Sequence, residues 1–231
     1  MIAFKLLDPI PSFCAGIVEA RGLKIQPSNT TIQRYCARVI ASVTEHGVVG
    51  GDLRLRAVRD LLRTGGYKPA GRGKPAQEYL LRTAFKDGRL PTILNAVDLI
   101  NVVSLCSGLP ISLLSVSRLG PQFSIRYGRE GESYVFNASE QTLDLKGLIC
   151  VCAESEGASN PVGSPVKDSM RGKVTADDTD MVAIVYGSLK TASRDEMRHW
   201  ATELAQRFEQ WCEATEVSQQ VLSEADYQAP E

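Results

Sequence analysis

Three polar side chains recur at three-residue spacing inside an otherwise apolar stretch, and their types and placement could serve chemistry. Residues 92–107 are apolar on nearly every side of a predicted helix, yet Asn95, Asp98 and Asn101 share one stripe of it. A buried polar group without a hydrogen-bond partner costs about 1–3 kcal/mol, so these side chains need partners. Two interpretations stay open: Asp98 and Asn101 line a pocket, or they pin the helix to neighbouring backbone.

A second candidate is the segment from Gly163 to Ser169. It falls inside 154–180, a stretch without a long apolar run, and long loops in compact domains often carry function. Lys167 and Asp168, followed by Ser169, offer a cation, a carboxylate and a hydroxyl at consecutive positions. On its residues alone, the segment is a surface turn with an internal salt bridge.

Positive charge is concentrated in one part of the chain. Residues 51–90 hold 10 basic against 4 acidic residues, although the formal net charge is −1. Within this region 64–75 is rich in Gly and Pro and can contact phosphates. The candidate phosphate contacts are Arg63, Lys68, Arg72 and Lys74. The alternative is a solvated basic face balanced by residues 151–231, which hold 15 acidic against 7 basic residues.

Familiar signatures of catalysis and metal binding are missing from the sequence. There is no G-x-S-x-G, H-E-x-x-H, P-loop or C-x-x-C pattern. Cys150 and Cys152 share one face of a predicted strand, but the chain has only two histidines to complete a metal site. We therefore expect no metal and no cofactor. Because no export signal or membrane-spanning run is visible, we expect a cytoplasmic protein with six reduced cysteines.

Hydrophobic periodicity predicts the elements that must position these residues. Helices are expected over about 28–47 (with Ser28 as its N-cap), 52–63, 75–86 and 92–107, and a last one follows the capping box that starts at Ser193. Mostly antiparallel strands are expected over about 13–20, 111–116, 122–127, 132–136, 147–153 and 181–186. We divide the chain into a domain over 1–190, an amphipathic helix over 191–216 and a polar, frayed tail over 217–231.

The polar stripe continues into a recognisable block. The run Asn95-Ala96-Val97-Asp98-Leu99-Ile100-Asn101 is followed by Gly108-Leu109-Pro110 and then Ser112. Together with Ala20-Arg21-Gly22-Leu23 and the segment 163–169, this pattern resembles the editing and tRNA-binding module of the phenylalanyl-tRNA synthetase beta subunit, formed by that subunit's third and fourth domains. The resemblance covers about 13–190 and extends to freestanding relatives of that module.

The resemblance implies an α/β (α+β) fold with a central, largely antiparallel sheet and flanking helices. It implies a pocket between the two blocks, with Lys167, Asp168 and Ser169 as catalytic candidates at its mouth and Asp168 binding a substrate ammonium or orienting water. The substrate-binding candidates are Asn101, Ser112, Gly163 and Ser164. The implied partner is tRNA or aminoacyl-tRNA, held by the basic region, with no DNA and no membrane; ligase activity is not expected.

The sequence departs from the family at two positions. Ser112 stands where synthetase editing pockets carry a histidine, and Ile100 replaces a hydroxylated residue. The first hypothesis is a module that hydrolyses misacylated aminoacyl-tRNA in trans, because an activated ester needs only a positioned water and a stabilised oxyanion. The second is a non-catalytic domain that binds RNA or an amino-acid-like ligand. A hydrolase that uses Cys106 or Cys152 ranks last, since apolar surroundings raise a thiol pKa.

Overall fold

A computed structural model describes residues 2–155 and 157–229, which form two four-stranded sheets, a two-stranded sheet and a layer of helices. The strands are β1 (Ala3–Leu6), β2 (Phe13–Arg21), β3 (Ile111–Ser115), β4 (Gln122–Tyr127), β5 (Ser133–Val135), β6 (Thr142–Asp144), β7 (Ile149–Ser155), β8 (Ala158–Gly163), β9 (Met181–Ser188) and β10 (Glu216–Ser223). The helices are α1 (Thr30–His46), α2 (Gly51–Arg63), α3 (Ala76–Asp87), α4 (Asn95–Ser107), the short α5 (Val116–Leu119) and α6 (Arg194–Cys212).

The inner sheet has the strand order β10-β2-β9-β3, and all of its neighbouring strands run antiparallel. Its two central strands read as nearly continuous apolar runs because both of their faces are covered. Gly16 in β2 lets α6 approach closely, since a Cβ there would lie 2.8 Å from the backbone oxygen of Met197. The inner sheet is therefore the middle layer of the fold.

The outer sheet has the order β1-β4-β7-β8, in which β1 and β4 are parallel and the other pairs antiparallel. The hairpin of β5 and β6 covers its far face, where Tyr134 and Leu143 pack with Cys150 and Cys152. The two large sheets face each other across one core, whose largest members include Phe13, Ile17, Phe123, Ile125 and Tyr186.

Alternation along β3 decides which layer each of its side chains enters. Ile111 and Leu113 pack in the helical layer with residues of α4 such as Leu99. Leu114 packs in the core between the sheets. Ser112 is two residues from Leu114, so its side chain points to the same face of the sheet, where its hydroxyl contacts the Tyr186 hydroxyl. Ser112 and α4 therefore lie on opposite faces of the inner sheet.

Two helix starts show how local sequence sets the element boundaries. Ser193 caps α6 as predicted, because its hydroxyl accepts a hydrogen bond from the backbone N–H of Glu196 at 3.1 Å. The N-cap of α1 is Asn29 and not Ser28. The Ser28 hydroxyl instead donates to the carboxylate of Asp98 in α4 at 2.6 Å, so it joins two helices.

The mixed α/β architecture with antiparallel sheets and flanking helices is confirmed, although the expected central sheet is a pair of packed sheets. Four strands, β1, β6, β8 and β10, have no counterpart among the predicted ones. The predicted frayed tail over 217–231 is wrong in its first part, because β10 pairs with β2 along eight residues. Val217 and Val221 pack against the helical layer, and this burial holds the strand in place.

No helix within residues 2–155 and 157–229 has the length and apolar character needed to cross a membrane. All six cysteines are free thiols.

Candidate functional site

Two segments that are distant in sequence meet beside β3 through a network of hydroxyl groups. The Ser112 hydroxyl donates to the backbone oxygen of Ser164 at 3.2 Å and lies 2.8 Å from the hydroxyl of Tyr186. The Tyr134 hydroxyl donates to the backbone oxygen of Lys167 at 2.5 Å and lies 2.9 Å from the Ser164 hydroxyl. The structure therefore brings residues 111–116 and 161–170 together, and the shared pocket that the resemblance implies between them stays a prediction.

Asp168 points inward from this loop. Its Oδ2 accepts a hydrogen bond from the backbone N–H of Leu113 at 3.0 Å, whereas Oδ1 is shielded from solvent and has no partner in the described part of the chain. Gly163 leaves the space for it, since a Cβ there would lie 2.9 Å from Oδ1. Burial raises the pKa of Asp168 to about 6, although nearby hydrogen-bond donors, among them the Leu113 N–H, oppose the rise. In this conformation the carboxylate fastens the loop to β3, and Oδ1 presents no surface to a substrate ammonium.

Lys167 lies on the solvent side of the same loop, between two aromatic rings. Its Nζ is 4.6 Å from the ring centre of Tyr79 and 4.8 Å from that of Phe136. Desolvation lowers the pKa of Lys167, and the charges of Arg72 and Lys173 lower it further. These three cations are therefore close enough to repel one another.

Ser169 is a buried turn residue. Its hydroxyl accepts a hydrogen bond from the backbone N–H of Arg171 at 3.1 Å, and its own N–H donates to the backbone oxygen of Val162 at 2.9 Å. These bonds give Ser169 a part in shaping the loop.

The Gly/Pro-rich basic loop packs directly against the segment 163–169. The backbone N–H of Ala76 donates to the backbone oxygen of Pro165 at 2.9 Å. The hydroxyl of Tyr79 donates to the backbone oxygen of Gly71 at 2.8 Å, so the ring that contacts Lys167 also braces the basic loop. The two segments that carried the sequence predictions thus form one surface.

Four side chains, Arg72, Lys74, Lys167 and Lys173, make up what we call the cationic surface. Lys173 joins the others through Phe136, whose backbone oxygen lies 3.4 Å from the Lys173 Nζ. Within residues 2–155 and 157–229 none of the four has an ion-pair partner.

The other two predicted phosphate contacts lie outside the cationic surface. Arg63 forms an exposed ion pair with Asp60 at 2.6 Å, which offsets part of its charge. Lys68 is exposed and lines a shallow groove of about 400 Å³ together with Arg63 and Tyr67.

Asn101 does not join Ser112, and the expected common wall is wrong. The side chain of Asn101 lines a separate cavity among the helices, on the opposite face of the inner sheet from the Ser112 hydroxyl. Asn95 of the same stripe is structural: its amide donates to the backbone oxygens of Lys24 at 2.8 Å and Trp211 at 3.2 Å. In the polar stripe of α4, Asn95 thus fixes the helix to neighbouring backbone, and Asn101 lines the cavity.

A family model for the B3/4 domain matches residues 69–225, more than half of the chain. The chain belongs to the B3/4 domain family. The matched range includes both sequence blocks and all four residues of the cationic surface. This B3/4 domain is a relative of the module in the phenylalanyl-tRNA synthetase beta subunit and hence a tRNA-synthetase-related module.

One solved structure similar to this B3/4 domain is an N-terminal fragment of the phenylalanyl-tRNA synthetase beta subunit from Pyrococcus horikoshii. The two are 11% identical, with a TM-score of 0.41, over 87% of this chain and 48% of that one. The B3/4 domain described here thus spans about half the length of that fragment. Among curated proteins none matches the chain.

The thiols of this B3/4 domain are poor nucleophiles. Burial raises the pKa of Cys152 to about 11, against the lowering effect of Arg126, and burial likewise raises the pKa of Cys106. In the described ranges no three His, Cys, Asp or Glu side chains are grouped so that they could hold a metal ion.

Sequence reasoning missed the aromatic members of the site in this B3/4 domain. Tyr134 and Tyr186 complete the hydroxyl network, and Tyr79 and Phe136 enclose the Lys167 ammonium. Tyr186 carried one usable signal, a phenol inside an otherwise apolar strand, because a buried hydroxyl must find a hydrogen-bond partner.

Proposed function

We propose that this B3/4 domain is a tRNA-binding module of the editing type, with tRNA or aminoacyl-tRNA as its partner. The observation that carries the proposal is the cationic surface: Arg72 and Lys173 lie close enough to Lys167 to lower its pKa, Lys74 follows Arg72 on the basic loop, and none of the four has an acidic partner in residues 2–155 and 157–229. Such cations repel one another until an anion binds between them, and a phosphate backbone supplies anions at regular spacing.

The aromatic rings around Lys167 support phosphate binding at this surface. A lysine side chain normally loses rotamer freedom when it binds a ligand, which reduces its affinity. The Tyr79 and Phe136 rings already restrict the Lys167 ammonium, so less freedom is lost on binding. Lys167 is therefore a preorganised contact for a phosphate or carbonyl oxygen in the proposal.

Hydrolysis of misacylated tRNA in trans is the activity that we propose for this surface. An aminoacyl ester is activated, so a positioned water and a cation that stabilises the developing oxyanion suffice. Lys167 supplies that cation, and Asp168 positions its loop by bonding to Leu113 of β3. Ser112 is assigned no proton transfer, because it is buried and its hydroxyl is already engaged.

A non-catalytic domain that binds RNA or an amino-acid-like ligand is the second candidate, and one observation favours it. The side chain at the position of the family histidine, Ser112, has no solvent exposure and makes two hydrogen bonds inside the hydroxyl network. A residue held in that way cannot activate water without first leaving the network.

The binding proposal is tested by tRNA affinity as a function of salt. On replacing Arg72 and Lys74 by alanine, we expect the log–log salt slope to fall by roughly one to two, since each neutralised phosphate contributes about 0.7 to 0.9. The matched control replaces Lys190 and Arg34, which are exposed, form no ion pair within the described residues and remove the same charge elsewhere. Equal losses in the two double variants would reduce the effect to net charge and refute the proposed surface.

The catalytic proposal is tested by deacylation of a panel of mischarged tRNAs. We expect at least one substrate to be hydrolysed faster than in buffer, and Lys167→Gln to slow that reaction by about tenfold or more while tRNA binding changes less. Unchanged background rates with intact tRNA binding would establish the non-catalytic candidate.

A further inference from the structure

A cavity of about 780 Å³ lies between α1, α3, α4 and the 88–92 loop, away from the hydroxyl network and the cationic surface. Its volume falls within the range of about 300–1,000 Å³ that is typical of small-molecule sites. It adjoins the helical layer, whereas the Ser112 and Asp168 site lies across the inner sheet. The cavity is therefore separate from the surface that we propose binds tRNA.

The wall that α4 contributes is polar and prearranged. Asp98 is buried, and its carboxylate is held by the Ser28 hydroxyl at 2.6 Å and the Ile93 backbone N–H at 3.0 Å. Asn101 lies one turn further along the same face, and its amide makes no hydrogen bond to any residue in the described ranges. One oriented carboxylate and one free amide thus face the cavity.

The rim of the cavity carries one charge of each sign, Arg89 and Asp87, and Asp87 lies 4.0 Å from the ammonium of Lys86. Arg89 lines it, is exposed, and has no acidic partner within the described part of the chain. Ala37, Ile40 and Val102 supply an apolar wall beside these polar groups. A ligand with only positive charge would leave Arg89 unpaired, and one with only negative charge would face Asp87 and Asp98.

We propose that this cavity binds a small zwitterion, a free amino acid or a short peptide with both termini charged. The ammonium group contacts Asp98 and the amide oxygen of Asn101, and the carboxylate pairs with Arg89. The apolar portion of the ligand packs on Ile40 and Val102. This inference does not depend on the proposed tRNA function, and the site remains if RNA does not bind.

The test is calorimetric titration of the protein with the common amino acids and a set of dipeptides at millimolar concentration. We expect at least one to bind, and the two arms separate a free amino acid from a peptide. The amide and the des-amino analogue of the best ligand should each bind about tenfold or more weakly, because each lacks one charge-assisted hydrogen bond.

Two arginine variants and the alkylation of one cysteine test whether the ligand binds in this cavity. Arg89→Ala should weaken binding about tenfold or more, whereas Arg82→Ala, an exposed arginine of α3 outside the cavity, should not. Bound ligand should slow alkylation of Cys36, which lines the cavity, and leave that of the half-buried Cys106 unchanged. Failure of every zwitterion to bind overturns the proposal, as does binding that neither Arg89→Ala alters nor Cys36 reports.

Discussion

Replacement of Asp168 by asparagine should change how the stability of the protein depends on pH. The carboxylate is buried between Gly163 and β3, and burial raises its pKa from the ordinary 3.8 to about 6. Asparagine keeps the size and an acceptor for the Leu113 N–H, but it cannot ionise. The substitution therefore isolates the cost of holding a charge at this position.

The magnitude follows from the two pKa values. Since the folded pKa lies above the unfolded one, the stability that Asp168 contributes is fully present below pH 3.8 and is lost as the pH rises through 6. At 1.36 kcal/mol per pH unit, the loss is roughly 3 kcal/mol, of which about two thirds falls between pH 4.5 and pH 7. Over that window the unfolding free energy of Asp168→Asn should rise relative to wild type by about 2 kcal/mol.

Urea unfolding at a series of pH values measures this difference directly. Asp178→Asn is the matched control. Burial acts to raise the pKa of Asp178, but hydrogen bonds from Ser115, Arg118 and Thr175 outweigh it and lower the pKa. Its relative stability should therefore fall between acid and neutral pH. A flat or falling difference for Asp168→Asn would show that the carboxylate is solvated and that the placement of the loop is wrong.

Two other substitutions probe the packing that supports the site. Arg54→Met should lower the unfolding free energy by about 3 kcal/mol in urea melts, because Arg54 is buried in an ion pair with Glu196, whereas the exposed Arg63→Met should change it by less than about 0.5 kcal/mol. Gly16→Ala should cost about 1–3 kcal/mol, since its Cβ would meet the backbone oxygen of Met197 at 2.8 Å and force α6 outward; an unchanged melting midpoint would contradict that contact.

Many helices and strands can be predicted from the sequence, because burial of one face makes apolar residues recur at the spacing of that element. The apolar runs of β2 and β9 and the capping box of α6 predict these elements to within a few residues. β10 was missed because an edge strand needs few apolar residues, and this one has three, Val217, Val221 and Leu222. β8 was missed for the related reason that Ser159, Asn160 and Pro161 interrupt it, so it contains no apolar run.

The sequence predicts a part of the site only where one short segment contains all the residues of that part. The loop with Lys167 and Asp168 is one such segment. The placement of Asn101 needed a further fact, namely which face of the inner sheet α4 covers, and local patterns do not contain it. The aromatic enclosure of Lys167 needed two contacts from distant parts of the chain, which single-sequence spacing cannot supply.

The position of β2 in the inner sheet has a consequence for synthesis on the ribosome. Both of its neighbours, β9 and β10, lie far downstream in the sequence. The backbone N–H and C=O groups of β2 therefore have no strand partner until most of the chain has been synthesised. Pairings of such large sequence separation close slowly and late. During that interval a nine-residue apolar strand is open to association with other nascent chains or to capture by a chaperone.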